Sequence, residues 1–390
     1  MTVRSAHGGR LALVGTGLAL CYTVQQSAMP VLLPLAVRLG LDEIRMGVVI
    51  TASGCAFLLS NPLWTFLSHR RGTRPLLLGG LIGVLLSALA FAAVVRWPPQ
   101  TAQAAFALAL LTRGMLFGLA LAAVAVSSAA FLLADAEQRG RAATVIAAAP
   151  GIGIVAGPLL DTATGSRGLL VLLLAPLVLL AVTTSFLVRL PPGVRQGPAE
   201  RVTWQWGPFL RSGWPHLLVV VSLLLLVAAT QVNIGFLLRD RIGAPADEAG
   251  HAAAWVLVAG GAAFLLTQAV AAARPALLGT WSLRAGLLMT LLGVLPLAFG
   301  PSLSWIMLGA VVTAVGVGFA LPACYERVSR TAGEAGQTQA GGAISAASGV
   351  AFAIGPVVAT GLHTVGSATP FLFVAGLLLT GFACSLATRS

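Results

Sequence analysis

Residues 76–95, 169–188, 217–229 and 371–387 contain no charged side chain at all. Runs of this kind recur about a dozen times along the chain, and a span of about 20 apolar residues matches the hydrocarbon core of a bilayer. A large soluble core does not account for them. Only 9% of the 390 residues are charged while 58% are hydrophobic, too few charges to clothe a soluble surface. The chain reads as an all-α membrane protein.

Twelve transmembrane helices are expected, at residues 11–36, 45–66, 75–95, 102–130, 140–160, 167–188, 214–238, 251–272, 284–300, 301–322, 338–361 and 368–388. With the N-terminus in the cytoplasm, sixteen arginines fall on inside segments and six on outside ones, with Arg113 left within a helix. That is the positive-inside pattern, and twelve spans bring both termini to the cytoplasmic side of the inner membrane. The net charge of +12 follows this topology, so it does not point to nucleic acid. The first segment carries Gln25, Gln26, Pro30 and Pro34, is too long for a signal peptide and is expected to stay as the first helix. The longest loop, residues 189–213, is rich in Pro, Gly and Arg, and Trp204, Trp206 and Trp214 suit the interface. It reads as a cytoplasmic linker between six-helix bundles at 1–188 and 214–390. Cys21, Cys55, Cys324 and Cys384 have the spacing of neither a disulfide framework nor a zinc site. No metal or cofactor is expected.

Residues 142–162, AATVIAAAPGIGIVAGPLLDT, read almost like residues 340–360, AGGAISAASGVAFAIGPVVAT, half a chain later. Both copies set a Gly-Pro pair, Gly157-Pro158 and Gly355-Pro356, within an apolar helix of small residues. Such segments pack closely and bend within membranes, and the repetition makes the halves pseudo-repeats. The copies differ at Gly153, where the second has Ala351, and at Asp161, where it has Ala359. Amides sit at mid-depth: Gln25 and Gln26 in the first helix, Gln231 and Asn233 in the seventh, Gln268 in the eighth. They cost free energy there unless bonded or wet, so interhelical bonding and cavity lining are both open.

Four local motifs go further. Between the second and third helices stands TFLSHRRGTRP, with Thr65, His69, Arg70, Gly72 and Arg74. The fourth helix carries LLTRGMLFGLALA, with Arg113 and, five positions on, Gly118. The turn into the fifth helix is DAEQRGRA, with Asp135, Arg139 and Arg141. The fifth helix itself holds GIVAGPLLD, with Gly153, Gly157, Pro158 and Asp161. Together these resemble the major facilitator superfamily, in particular its antiporter-type exporters. The resemblance implies two six-helix bundles that rock about a central site. Thr65 and His69 stand where the family has Gly and Asp, so the latch that this loop forms in the family must differ here. Gly118 lies one position later than in the family. Asp161 replaces the last Gly of the antiporter signature, whose smooth, bent face is expected to slide against a neighbour, the eighth helix.

Of eleven acidic residues, only Asp161 and Glu326 fall near the membrane boundary, and Asp161 is the candidate proton carrier. Arg113 has no acid at its depth. A buried unpaired charge is unfavourable, so a carboxylate-bearing substrate is expected to neutralise it, with Gln25, Gln26, Gln231, Asn233 and Gln268 as neutral hydrogen-bonders. The helices hold no catalytic constellation, and without a lysine there is no phosphate-binding loop. The reading is a monomeric, proton-coupled secondary-active exporter of a small organic molecule, a drug or an anionic metabolite such as a siderophore. An importer or uniporter of a small metabolite stands as the alternative, and a non-transporting sensor or scaffold behind that.

Overall fold

The computed structural model describes residues 2–132, 139–164, 169–188, 206–274, 280–332 and 337–387, helices joined by short turns with no strand among them. The chain divides into two compact units, Met1–Glu200 and Arg201–Ser390. The first holds α1 (Thr2–Ser27), α2 (Leu32–Leu39), α3 (Glu43–Arg71), α4 (Thr73–Arg96), α5 (Ala102–Ala109), a π-helical segment (Leu110–Leu116), α6 (Phe117–Leu132), α7 (Arg139–Thr164) and α8 (Leu169–Leu187). The second holds α9 (Trp206–Ile242), α10 (Ala246–Ala273), α11 (Thr280–Phe299), α12 (Leu303–Ala332), α13 (Gln337–His363) and α14 (Thr369–Ala387). Among the described residues eight helices are long and apolar enough to cross a membrane, and the bent pair α1–α2 makes a ninth. Shorter apolar helices run over Ala148–Ala163 in α7 and Thr369–Ala383 in α14. Most of the expected linker at 189–213 lies outside the described residues.

The expected first span, 11–36, is not one helix. It breaks between Ser27 and Leu32 and bends by 57°. Pro30 brings no amide to the last turn of α1, and Pro34 leaves the Pro30 carbonyl without its helical donor. The Gln26 carbonyl is taken instead by the Met29 amide at 3.1 Å.

The same packing scheme appears within each unit. In the first, α1 packs chiefly on α7 and then α8, while α6 receives α3 and α4. In the second, α9 packs chiefly on α13 and then α14, while α12 receives α10 and α11. Corner details repeat as well. Gly40 and Gly243 each close a helix at φ 64°, a left-handed conformation that favours glycine. Arg38 Nε donates to the Val95 carbonyl at 2.8 Å, and Arg241 donates from Nη2 to the Ala298 carbonyl at 2.5 Å. Each arginine therefore caps the C-terminal end of a helix, α4 or α11, where cations are favoured. One spacing, slightly longer than that of the Gly-Pro segments, relates Arg38 to Arg241, Gly40 to Gly243 and Val95 to Ala298.

The surfaces are apolar where a soluble protein would be charged. On α11, Leu288, Leu292 and Leu295 are exposed, an outward stripe suited to lipid. The inward stripe of α11 is Gly286 and Gly293, facing Gly316 and Gly309 of α12. A Cβ on Gly286 would lie 2.8 Å from the Ala320 amide nitrogen, on Gly293 2.5 Å from that of Thr313, on Gly309 2.6 Å from that of Leu297 and on Gly316 2.4 Å from that of Thr290. The two helices meet backbone to backbone. Several buried hydroxyls are satisfied within their own helices: Thr184 donates to the Leu180 carbonyl, Ser222 to Leu218 and Thr290 to Gly286, the back-bonding open to Ser and Thr.

Candidate functional site

Arg113 lies in the π-helical segment and is 4% exposed. Its Nη2 donates to the backbone carbonyl of Gln25 at 3.1 Å, and its Nη1 approaches the Ser53 hydroxyl at 3.5 Å. The guanidinium lies over the Phe117 ring, 4.3 Å from its centroid, a favourable cation–π arrangement. Every one of these partners is neutral, and no carboxylate stands within ion-pair distance of Arg113 among the described residues. Helix α3 presses on this span at two glycines. A Cβ on Gly114 would lie 3.1 Å from the Val49 carbonyl oxygen, and one on Gly118 2.2 Å from that of Ser53. The sequence pointed to Arg113 but not to Ser53 or Phe117. Its one signal for the π turn was the five-residue spacing from Arg113 to Gly118.

Gly153 and Gly157 face α1. Cβ atoms there would fall 2.6 Å from Tyr22 Cβ and 2.6 Å from the Gln26 carbonyl carbon. The expectation that this smooth face serves the eighth helix is therefore corrected: α1 occupies it, because only glycine lets the two backbones approach so closely. Helix α7 continues through Pro150 and Pro158 to Thr164. One turn beyond Gly157, Asp161 is 3% exposed, and its Oδ2 has no hydrogen-bond partner among the described residues. Gln26 is buried beneath Gly157, whereas Gln25 meets Arg113 through its backbone rather than its amide.

At the α3–α4 corner, Gly72 adopts φ 87° and donates its amide to the Ser68 carbonyl at 3.0 Å. The Arg70 guanidinium lies over the Phe66 ring, 4.4 Å from its centroid. Thr65 donates to the Asn61 carbonyl at 2.9 Å within its own helix. His69 Nδ1 is buried without a hydrogen-bond partner among the described residues. Arg74 Nη2 donates to the Val188 carbonyl just past α8, so this corner is tied to the end of the last helix of its own unit. Asp135 lies outside the described residues, as do the side chains of Arg139 and Arg141.

In the second unit Asn233 is fully buried, and its amide donates to the Ala359 carbonyl of α13 at 2.9 Å. It holds α9 to α13. Gln231 and Gln268 are half-buried. Gly355 and Pro356 are buried, and a Cβ on Gly355 would meet Ala228 Cβ at 2.9 Å and Leu225 Cδ2 at 3.3 Å. These are side-chain atoms, so this seam is looser than the α1–α7 seam. No motif pointed to the pair between His363 Nε2 and Asp240 Oδ2, 3.0 Å apart, which links α13 to α9.

Solved structures share this fold along nearly the whole chain. The human organic anion transporter MFSD10 (TETRAN) is 21% identical, with a TM-score of 0.65 over 95% of this chain and 97% of that one. A bacterial homolog of the human lysosomal transporter Spinster, inward-facing and occupied, is 13% identical, with a TM-score of 0.73 over 98% and 96%. The nucleoside transporter NupG is 14% identical, with a TM-score of 0.72 over 97% and 100%. No curated protein sequence matches the chain. The family profile of the Major Facilitator Superfamily matches residues 14–282. With helices of membrane-crossing length, an internal repeat and an intramembrane arginine, the chain belongs to the major facilitator superfamily and is a multi-pass membrane transporter of that type.

Proposed function

We propose that this transporter is a proton-coupled exporter of a small organic molecule bearing a carboxylate, working by alternating access. The observation that carries the reading is Arg113. A charged side chain at the centre of a membrane helix costs about 2.5–3.5 kcal/mol on insertion scales, and the partners of Arg113 are two neutral oxygens and a ring. A substrate carboxylate would complete the guanidinium's hydrogen bonding with a charge-assisted, bidentate pair. One transporter of similar fold is an organic anion transporter and another a nucleoside transporter. Likeness at this identity concerns fold alone, so the weight rests on the arginine.

Asp161 is the proposed proton carrier, as the buried acid of α7 whose Oδ2 has no hydrogen-bond partner among the described residues. Export follows from the antiporter-type signature that Gly153, Gly157 and Pro158 resemble. Twelve spans with both termini in the cytoplasm, a monomeric state and the inner membrane complete the proposal, the topology following the arginine distribution.

The test is transport in proteoliposomes of a panel of carboxylates beside their matching primary amides. The wild-type protein should prefer acids, and Arg113→Gln should lose that preference while still folding. An Arg113→Gln variant that exports an acid at the full rate overturns the substrate assignment. In inverted vesicles, substrate entry should drive proton exit, and Asp161→Asn should uncouple the two. Substrate and proton moving together would establish the importer instead.

A further inference from the structure

Helix α5, the π segment and α6 form one continuous rod with a fault in the middle. Arg113 and Gly118 are five residues apart. On an unbroken α-helix, positions five apart point about 140° away from each other. With Gly118 seated on α3, Arg113 would then turn away from α3. In the structure both reach Ser53: Gly118 abuts its carbonyl oxygen and Arg113 approaches its hydroxyl. The π turn reconciles the two. The Phe117 amide donates to the Thr112 carbonyl, five residues back, and this pairing brings positions five apart onto one face. Gly118 cannot be the member that yields, because a turned α6 would bring a side chain against the Ser53 backbone. The packing fixes the direction of α6, and the π turn sets the direction of Arg113.

A π turn is rare and must be held against the ordinary α pairing. The hold comes from α4. Ser87 is 3% exposed, and its hydroxyl donates to the Thr112 carbonyl at 3.2 Å. That carbonyl is the acceptor of the π pairing itself. Arg113 adds its own ties to Gln25 and Ser53, which depend on the direction it already has.

We infer that Ser87 is a positioning residue of this transporter: by pinning the Thr112 carbonyl it keeps the π turn and so aims Arg113 at α1 and α3. The functional meaning of that aim rests on the reading of Arg113 as the carboxylate site. Ser87 thereby sets specificity through the Thr112 carbonyl, with no hydrogen bond of its own to Arg113 among the described residues.

The test follows the direction of position 113 without using a substrate. In full-length protein with all four cysteines replaced by alanine, Ser53→Cys and Arg113→Cys are joined by an ethylene-bridged bis-methanethiosulfonate. The cross-linked peptide is followed by mass spectrometry. With the guanidinium gone, the Ser87 pin is the remaining tie on the turn. Adding Ser87→Ala should slow cross-linking about fivefold, the effect of one buried hydrogen bond, and Ser87→Thr should restore it. Removing Leu116 from the Ser87→Ala protein should also restore it. Four-residue spacing puts position 113 and the glycine about 40° apart on a plain α-helix, so no pin is needed. Removing Met115 is the equivalent change if the first deletion does not yield monodisperse protein, and both residues are exposed. A Ser87→Ala rate equal to the parent overturns the inference, as does a folded deletion that slows cross-linking further. If cross-linking behaves as expected while Arg113→Gln still exports acids, the pin stands and the carboxylate assignment falls.

Discussion

Replacing Gly157 by alanine, with Gly355→Ala as its partner, makes one chemical change at matching places in the two repeats. A Cβ at 157 would lie 2.6 Å from the Gln26 carbonyl carbon and the Ser27 amide nitrogen, and 2.7 Å from Gln26 Cβ. None of these atoms can rotate out of the way. Reaching an ordinary contact of about 3.6 Å requires α7 to move off α1 by about 1 Å. Overpacking of this kind costs about 1–3 kcal/mol, and contact with backbone places it towards the upper end. At 355 the nearest atoms are Ala228 Cβ at 2.9 Å and Leu225 Cδ2 at 3.3 Å. The leucine end can swing aside, which leaves only Ala228 Cβ to yield by about 0.7 Å, so the cost there stays at the lower end, about 1 kcal/mol. Any gain in helix propensity, about 1 kcal/mol for Gly→Ala, is common to both and cancels in the comparison. The expected difference of about 1–2 kcal/mol corresponds to about 2–8 °C in apparent melting temperature for a unit of this size. Both variants would be purified in one detergent and melted by intrinsic fluorescence, with size exclusion confirming monodisperse starting material. If Gly355→Ala melts as low as Gly157→Ala, the backbone seam is not the reason glycine stands at 157.

Three further outcomes are expected. Asn233→Ala should lower stability by about 0.5–1.5 kcal/mol by removing the side-chain bond from α9 to the Ala359 carbonyl, and should leave the apparent KM for transport unchanged; a changed KM in a stable variant would make Asn233 a substrate contact. Arg241→Ala should lower the melting temperature more than Arg38→Ala, because Arg241 also donates to Ser367 Oγ at 3.2 Å while Arg38, among the described residues, caps only Val95; equal shifts would refute that ranking. Arg74→Gln should speed hydrogen exchange about fivefold at the end of α8, from a solvent-screened contact of about 1 kcal/mol, and unchanged exchange there would show that Arg74 does not hold the Val188 carbonyl.

Much of the architecture was legible because membranes simplify the sequence code. Charge-free runs mark helices, and the Gly-Pro repeat marks duplication without any knowledge of partners. Arg113 stood out for the same reason, as a charge in an apolar run. What was not legible depends on which way a side chain turns. Gly153 and Gly157 announce a close approach, but nothing in one helix says that α1 is the neighbour. Asn233 looked like a cavity residue because a buried amide reads the same whether its partner is a substrate or the Ala359 carbonyl. The second repeat spacing, visible in Arg38 and Arg241 or Gly40 and Gly243, rests on so few shared residues that only their common geometry exposes it. The π turn left one trace, the displaced Gly118, and a spacing irregularity becomes a structure only when α3 fixes one side of it.

The glycine seam between α11 and α12 also bears on how this gene can vary. Every substitution of glycine adds at least one carbon, and at Gly286, Gly293, Gly309 and Gly316 that carbon would fall within 2.8 Å of a neighbouring backbone atom. The outward leucines of α11 face no such limit. A saturation scan of this helix pair should therefore read as a comb, with intolerant teeth seven codons apart and permissive gaps between them. The teeth would be as sharp for alanine as for tryptophan, since the first carbon already collides.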